Sequence, residues 1–309
     1  MINTSLIGVP LDLGAKNLGV DIGPDAFRYQ GVIEKLEKVG FKIDDLGDIK
    51  PKNRNLLKLD NPKLRYLEEI VKVSEETAQK VETEILKNKK IIVLGGDHSV
   101  CLGAVSGASV AYKYDLGLIY FDAHGDLNTD ETTITGNIHG MQLASLLGFG
   151  NKKLSSIRSS KNKIDKQHLI HIAGSDFDEA ENILIEKENL NCFRIINILS
   201  EGFSPIFKSI DNLSKSCKNI WVSLDLDSID AMYAPAAGMP NRAGLSYREV
   251  TTLFEYIGKQ CNVVGIDIVE YNPLEDINGK TAELSIELIA KIFGSNYSWY
   301  TNYLERNKM

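Results

Sequence analysis

The chain contains 309 residues, and its hydrophobic content of 43% is enough to bury a large core. Its net charge of −7 gives no support to binding of nucleic acid or of an anionic membrane, and no apolar stretch is long enough to span a bilayer. The four cysteines are widely spaced without a C-x-x-C pair, and no secretion signal is visible. We therefore predict a cytoplasmic protein without disulfides or thiolate metal sites.

Eight apolar runs predict β-strands. In chain order they are Ser5–Val9, Phe41–Leu46, Ile91–Leu94, Leu116–Phe121, Leu169–Ile172, Cys192–Ile196, Ile220–Leu224 and Val263–Ile268. Helices are predicted at Asp25–Val39, Leu64–Leu86, Val100–Lys113, Ile206–Ser216, Tyr247–Gly258 and Ala282–Phe293. Because strands and helices alternate, we expect a parallel sheet covered by helices on both faces. No linker interrupts the chain, so residues 1–309 are expected to form a single domain with a tail over 297–309.

Three metal-competent groups follow the fourth predicted strand directly. Asp122, His124 and Asp126 lie in the pentapeptide D-A-H-G-D, and Gly125 allows a tight turn that lets the side chains point at one centre. Carboxylates combined with imidazole favour a divalent ion such as Mn²⁺, whereas thiolates favour zinc. The simpler alternative is a polar loop in which these side chains only cap backbone groups.

Polar side chains also follow three other predicted strands. His98 comes after the third strand, Asp225 and Asp227 after the seventh, and Glu270 after the eighth. The carboxyl ends of strands in an open parallel sheet are where ligands bind, so we expect these residues to meet. Four aspartates and two histidines exceed the needs of one small cation and suit two ions about 3.5–4 Å apart. His168 and His171 are expected to be structural, because they flank or lie within a strand.

Four sequence blocks resemble the signatures of the ureohydrolases, which are binuclear manganese enzymes. They are G-G-D-H-S at 95–99, D-A-H-G-D at 122–126, S-L-D-L-D-S-I-D at 223–230 and D-I-V-E-Y-N-P at 267–273. The resemblance implies a three-layer α/β/α fold with an eight-stranded parallel sheet, and trimers or hexamers. It implies that one Mn²⁺ is bound by His98, Asp122, Asp126 and Asp225. The second Mn²⁺ would be bound by Asp122, His124, Asp225 and Asp227.

Within this superfamily the chain is most similar to the arginases, because residues 128–140 resemble the loop that binds the amino-acid end of arginine. The resemblance implies that the α-carboxylate is bound by Asn128, Thr135 and Asn137. The α-ammonium would be bound by Asp178 and Glu181. His139 would act as a proton shuttle, Glu270 would pair with the guanidinium, and Asp126 would orient a metal-bridging hydroxide.

The predicted function is therefore hydrolysis of L-arginine to urea and L-ornithine with two Mn²⁺. The alternatives are an agmatinase or another guanidino-acid ureohydrolase, and a catalytically silent metal-binding protein on the same scaffold. The 128–139 loop favours arginine over the first alternative. The intact metal ligands, together with His139 and Glu270, count against the second.

The sequence also departs from the arginase pattern, although at none of the predicted metal ligands. Met239 lies where arginases usually have threonine, on the loop after Asp225 and Asp227. We expect Met239 to face the guanidinium and to alter the rate or the selectivity for the side chain. The remaining departures are Asn17-Leu18 and Ser175 in place of arginines, Ala231 in place of proline, and Ala243 in place of glycine.

Overall fold

The computed structural model describes residues 1–59, 61–295 and 297. In this part of the chain, eight strands form one parallel sheet in the order β2-β1-β3-β8-β7-β4-β5-β6. The strands are β1 (Ile2–Val9), β2 (Phe41–Asp48), β3 (Lys90–Gly95), β4 (Gly117–Phe121), β5 (Leu169–Gly174), β6 (Cys192–Arg194), β7 (Ile220–Asp225) and β8 (Val263–Val269). All eight predicted strands are therefore present, and the prediction of a parallel sheet is confirmed.

Helices connect these strands and cover both faces of the sheet. They are α1 (Gly23–Tyr29), α2 (Val32–Glu37), α3 (Leu67–Ile85), α4 (Val100–Ala111), α5 (Gln142–Leu146), α6 (Lys152–Ser155), α7 (Glu179–Glu188), α8 (Ile195–Glu201), α9 (Ser204–Ser216), α10 (Tyr247–Gln260) and α11 (Lys280–Ile292). The prediction of one helix over Asp25–Val39 is wrong. Gly31 takes a left-handed conformation with φ of 76° and separates α1 from α2, a geometry that glycine adopts without a steric cost.

The central strands are buried on both faces, which explains their continuous apolar sequences. On β3, Ile92 and Leu94 belong to a core cluster shared with α1, α2, α9, α10 and α11. Their neighbours Ile91 and Val93 point to the opposite face, into a second cluster shared with α3, α4, α5 and α6. The molecule therefore has three layers, as the resemblance implied.

Four neighbouring strands carry the predicted metal and guanidinium ligands. β3, β8, β7 and β4 lie side by side at the centre of the sheet, and the chain leaves each of them at the same edge. Asp225 is the last residue of β7, and His98, Glu270 and Asp122 follow the carboxyl ends of β3, β8 and β4. Residues separated by up to 172 positions in sequence are thereby brought to one place.

The prediction of a single domain stays a prediction, and most of the predicted tail lies outside the described residues. Tyr297 is described, and it is 4% exposed and packs into the first core cluster. No described helix combines the length and the apolar character needed to cross a membrane.

Helices α3 and α4 approach each other closely at two glycines of α4. A Cβ atom on Gly107 would lie 2.3 Å from the backbone oxygen of Ala78, and one on Gly103 would lie 2.7 Å from that of Ser74. Backbone atoms cannot move aside as a flexible side chain can. The absence of a side chain at these positions therefore sets the distance between the two helices.

We predict that Gly107→Ala destabilises the protein although alanine is the better helix former. Overpacking typically costs about 1–3 kcal/mol, and the upper part of this range is expected here because the neighbouring atoms are backbone. The gain in helix propensity offsets only about 1 kcal/mol of it. The measurement is the free energy of unfolding in urea. Gln79→Ala, on the exposed face of α3, is the control and should change little. Equal stabilities of G107A and the parent chain would contradict the predicted close contact.

Candidate active site

The predicted metal ligands converge on two overlapping groups. The Nδ1 atom of His98 lies 2.8 Å from Asp122 Oδ2, 3.1 Å from Asp225 Oδ2 and 3.3 Å from Asp126 Oδ2. His98, Asp122 and Asp225 thus present one ligand atom each within 4.8 Å of one another, a spacing that could hold a metal ion.

The second group shares Asp122 with the first. The Nδ1 atom of His124 lies 3.0 Å from Asp227 Oδ2 and 3.4 Å from Asp122 Oδ1. Asp122 therefore presents one carboxylate oxygen to each histidine. This arrangement brings all six predicted ligands together, with Asp122 between the two groups.

Burial of this much negative charge is unfavourable without cations. Burial and the neighbouring charges of Asp126 and Asp227 raise the pKa of Asp122 to about 7. Burial and the charges of Asp227 and Asp122 likewise raise the pKa of Asp225 well above its usual range. The buried Asp122 Oδ2 atom also has no hydrogen-bond partner. These features, together with the mixed carboxylate and imidazole donors, fit a site for divalent cations.

A buried polar chain beneath the site fixes the orientation of His98. Trp221 Nε1 donates a hydrogen bond to Asp267 Oδ1, and Ser223 Oγ donates to Asp267 Oδ2 at 2.6 Å. Because the Ser223 proton is used in this way, its oxygen accepts a hydrogen bond from His98 Nε2 at 2.9 Å. The His98 proton is thereby placed on Nε2, and Nδ1 is left free for a metal. Sequence reasoning missed this chain, although an aspartate inside the apolar β8 run was a signal for it.

Tyr120 and Gln142 hold Asp126 in a similar way. The Tyr120 ring stacks on His98 with centroids 4.7 Å apart, and its hydroxyl donates to Asp126 Oδ2 at 2.6 Å. Gln142 Nε2 donates to the same carboxylate oxygen. Asp126 has a φ of 51°, an uncommon conformation that persists only where the surrounding structure holds it. Neither supporting residue was predicted, because nothing in the local sequence marks either side chain as a partner of Asp126.

His139 and Glu270 form a pair beside the metal ligands. His139 Nδ1 lies 3.2 Å from Glu270 Oε1, which also accepts a hydrogen bond from the backbone N–H of His98 at 3.0 Å. Burial alone would lower the pKa of His139, but the hydrogen bond and charge of Glu270 raise it to about 9. The backbone of His139 donates to Gly14 O at 3.3 Å, and Asp97 binds Gly14 N at 2.7 Å. The loop after β1 is thereby hydrogen bonded to the backbone of His139 beside the site.

Asn128, Asp178 and Glu181, three of the residues predicted to bind the amino-acid end, connect residues 127–128 to the start of α7. Asn128 Nδ2 donates to Asp178 Oδ2 at 2.7 Å, and Asp178 Oδ1 accepts the Glu181 N–H at 2.9 Å as the cap of α7. Glu181 accepts N–H groups from Asp178 and Leu127 on its two oxygens. Asn137, in contrast, caps no helix with its side chain. The D-E-A-E segment is therefore a capping box, which was missed in the sequence.

All of these groups surround a cavity of about 290 Å³. Its described lining consists of His98, His124, Asp126, Asn128, Thr135, Asn137, His139, Gly140, Asp176, Asp178, Glu181, Asp225, Asp227, Met239 and Glu270. Every predicted site residue except Asp122 lines it, and Asp122 is 1% exposed. Met239 also lines it, as expected from the sequence. A larger open cleft of about 800 Å³ lies beside Leu127 and α7, but its described walls contain no histidine.

His171 has the structural role that was expected of it. Its Nε2 atom lies 2.7 Å from the backbone oxygen of His124, to which it donates a hydrogen bond. Burial lowers the pKa of His171 to about 4, so the ring is neutral. It therefore supports the turn that carries the metal ligands without adding charge.

The fold and the cluster together define a class of protein, a three-layer α/β protein with a candidate metal centre at the carboxyl edge of its parallel sheet. The chain belongs to the arginase family, whose sequence model matches residues 2–294. The resemblance found in the sequence is thereby confirmed.

Curated relatives and solved structures agree with this assignment. The chain is 38% identical to an arginase of Brevibacillus brevis over 294 residues, covering 94% of this chain and 98% of the relative. It resembles the structure of Bacillus caldovelox arginase with a TM-score of 0.92 at 37% identity, covering 96% and 100% of the two chains. An agmatine ureohydrolase of Thermoplasma volcanium, at 24% identity and a TM-score of 0.70, shares the fold and covers 98% and 92% of the chains.

We predict that Ser223→Ala weakens Mn²⁺ binding by about 10–100-fold, the usual effect of losing a partner that orients a metal-binding histidine. Without this hydroxyl, His98 can rotate or take the other tautomer. The measurement is calorimetric titration of the metal-free protein with manganese chloride. Ser216→Ala, on the exposed end of α9, is the control. Unchanged affinity in S223A would show that Ser223 does not orient His98.

Proposed function

We propose that this chain hydrolyses the guanidino group of L-arginine to give urea and L-ornithine with two bound Mn²⁺. The observation that carries the proposal is the pair of histidine–aspartate groups beside His139 and Glu270 in one cavity. The prediction of an arginase-type hydrolase, in preference to an agmatinase or a silent binder, is confirmed by the family match and the arginase relatives. The identity and number of the ions and the role of each residue are our proposals.

The six clustered residues would hold the two ions. One ion would be bound by His98, Asp122, Asp126 and Asp225, and the other by Asp122, His124, Asp225 and Asp227. When bound, such ions acidify water and so supply a strong nucleophile near neutral pH, which a resonance-stabilised guanidinium requires. Asp126, held by Tyr120 and Gln142, would orient the attacking group through a hydrogen bond.

Glu270 and His139 would act on the two ends of the bond that breaks. The Glu270 carboxylate can bind the planar guanidinium through charge-assisted hydrogen bonds. Its charge also raises the pKa of His139 to about 9, which favours the protonated imidazole. His139 would then protonate the departing amine, which is otherwise too basic to leave.

The outer part of the cavity would bind the amino-acid end of the substrate. Asn137 and Thr135 are available to the α-carboxylate, and Asp178 is available to the α-ammonium. Glu181 is 5% exposed and accepts backbone N–H groups on both oxygens, so we propose that it positions the more exposed Asp178. Asn128 would act together with Asp178, to which it is hydrogen bonded.

The cytoplasmic location and a homo-oligomer of three or six chains are likewise proposals, and both derive from the sequence. One surface supports self-association. Ile196 and Leu199 on α8 are 66% and 73% exposed, next to the strand β6 at the edge of the sheet. Burying such side chains against a second copy would be favourable.

We predict that His139→Ala lowers the rate of urea release by about 10²–10⁴-fold, the usual contribution of general acid–base catalysis. The assay uses protein loaded with manganese, and elemental analysis should still give two Mn²⁺ per chain. His168→Ala removes a histidine outside the cavity and should keep full activity. Loss of metal from H139A would contradict our assignment, because it would make His139 a ligand.

We predict that kcat/KM for L-arginine exceeds that for agmatine, which lacks the α-carboxylate, by roughly 10²–10³-fold. A closed polar site would favour arginine over agmatine by about 10⁴–10⁵-fold. Here Thr135 is exposed and Asn137 is half-buried, so water can hydrogen bond to their side chains when agmatine is bound. Both substrates are compared at the same Mn²⁺ loading. Equal efficiencies would contradict the proposal that this end of the cavity reads the carboxylate.

Two variants separate the groups that read the carboxylate and the ammonium. Asn137→Ala should lower kcat/KM for arginine about tenfold, as loss of one hydrogen bond to a charged group would, and should leave agmatine unaffected. Asp178→Asn keeps a side chain that can cap α7 but removes its charge. It should lower kcat/KM for both arginine and agmatine, because both substrates carry the amine. A selective loss of agmatine turnover in N137A would reverse the assignment.

A further inference from the structure

Met239 is the one apolar side chain among the described residues that line the cavity. The other lining residues are charged or polar, apart from Gly140. Met239 is also 47% exposed, so its side chain is not part of the core and is accessible to a ligand in the cavity. A half-exposed methionine gains little for folding, and its burial by a ligand would be favourable.

The backbone next to Met239 is fixed against Glu270. Gly238 N donates to Glu270 O at 2.7 Å, and a Cβ atom on Gly238 would lie 2.3 Å from Glu270 Oε2. On the other side, Asn17 Nδ2 donates to Gly238 O at 3.2 Å. Met239 therefore stands at the end of the cavity where Glu270 would bind the guanidinium.

A thioether changes what this end of the cavity can accept. Its sulfur offers no hydrogen-bond donor to a terminal guanidinium nitrogen, whereas its flexible chain packs well against a methyl group. A small alkyl group on that nitrogen would exchange contact with water for contact with Met239. The charge of the guanidinium and its pairing with Glu270 would be retained.

We propose that Met239 extends the substrate range to guanidines alkylated on a terminal nitrogen, with Nω-methyl-L-arginine as the smallest example. This inference rests on the proposed function. In the reaction, water adds its oxygen to the guanidino carbon, and the bond from that carbon to the side-chain nitrogen breaks. A proton passes to the departing nitrogen. The products are L-ornithine and N-methylurea, and no oxidant or reductant is needed.

The test is the ratio of kcat/KM for Nω-methyl-L-arginine to that for L-arginine. Met239→Thr, which shortens the side chain and adds a hydroxyl, should lower the ratio by about 3–10-fold. This is less than the factor of about ten or more that a methyl group gains in a fully apolar pocket, because Met239 is the one apolar side chain in the described lining. Met239→Leu should keep the ratio of the parent chain. Met232→Thr changes a methionine that is 70% exposed and outside the described cavity lining, and it should leave the ratio unchanged.

Two readouts accompany the ratio. N-methylurea is identified by mass spectrometry, and the inhibition constant of Nω-methyl-L-arginine against arginine turnover should rise in M239T by a similar factor. An unchanged ratio in M239T, or an equal fall in M232T, would overturn the inference. Turnover of arginine without N-methylurea would overturn it while leaving the proposed function intact. Absence of arginine turnover in the manganese-loaded parent chain would overturn both.

Discussion

Four aspartates crowd the carboxyl edge of the sheet, and none of them is more than 6% exposed. Mutual repulsion and loss of hydration would expel such charges from most protein interiors. Here hydrogen bonds from neighbouring groups hold three of them in place. Tyr120 and Gln142 hold Asp126, and backbone N–H groups hold Asp225 and Asp227. The structure thus holds anionic groups in place for cations. Without bound cations, the repulsion between these groups lowers the folding stability of the chain.

The same constraint explains the backbone around the site. Asp126 and Glu270 both have positive φ, at 51° and 60°, in a region that non-glycine residues rarely adopt. Gly238 leaves space for the Glu270 carboxylate, where any side chain would collide with it. Strained or crowded positions of this kind cluster where function requires a particular side-chain direction. The glycine and the two unusual conformations therefore belong to the site as much as its ligands do.

Much of the fold was predictable because buried strands have a strong apolar signal, and the six clustered residues were predictable because they follow strand ends. The break at Gly31 was missed, since the periodicity of the surrounding residues is helical on both sides. The chain from Trp221 through Ser223 and Asp267 was also missed, because it joins side chains on two neighbouring strands. Strand order is decided by tertiary packing, and a single sequence contains no local record of it.

The position of β8 has a consequence for the synthesis of the chain. This strand is the last of the described strands to be made. It lies between β3 and β7 and is the sole hydrogen-bonded connection between the two halves of the described sheet. His98 lies on one half, and the other predicted metal ligands lie on the other. A nascent chain that has not reached residue 263 can therefore form two separate half-sheets with open edges. Closure of the sheet, completion of both cores and assembly of the site all require β8 and therefore come late in synthesis.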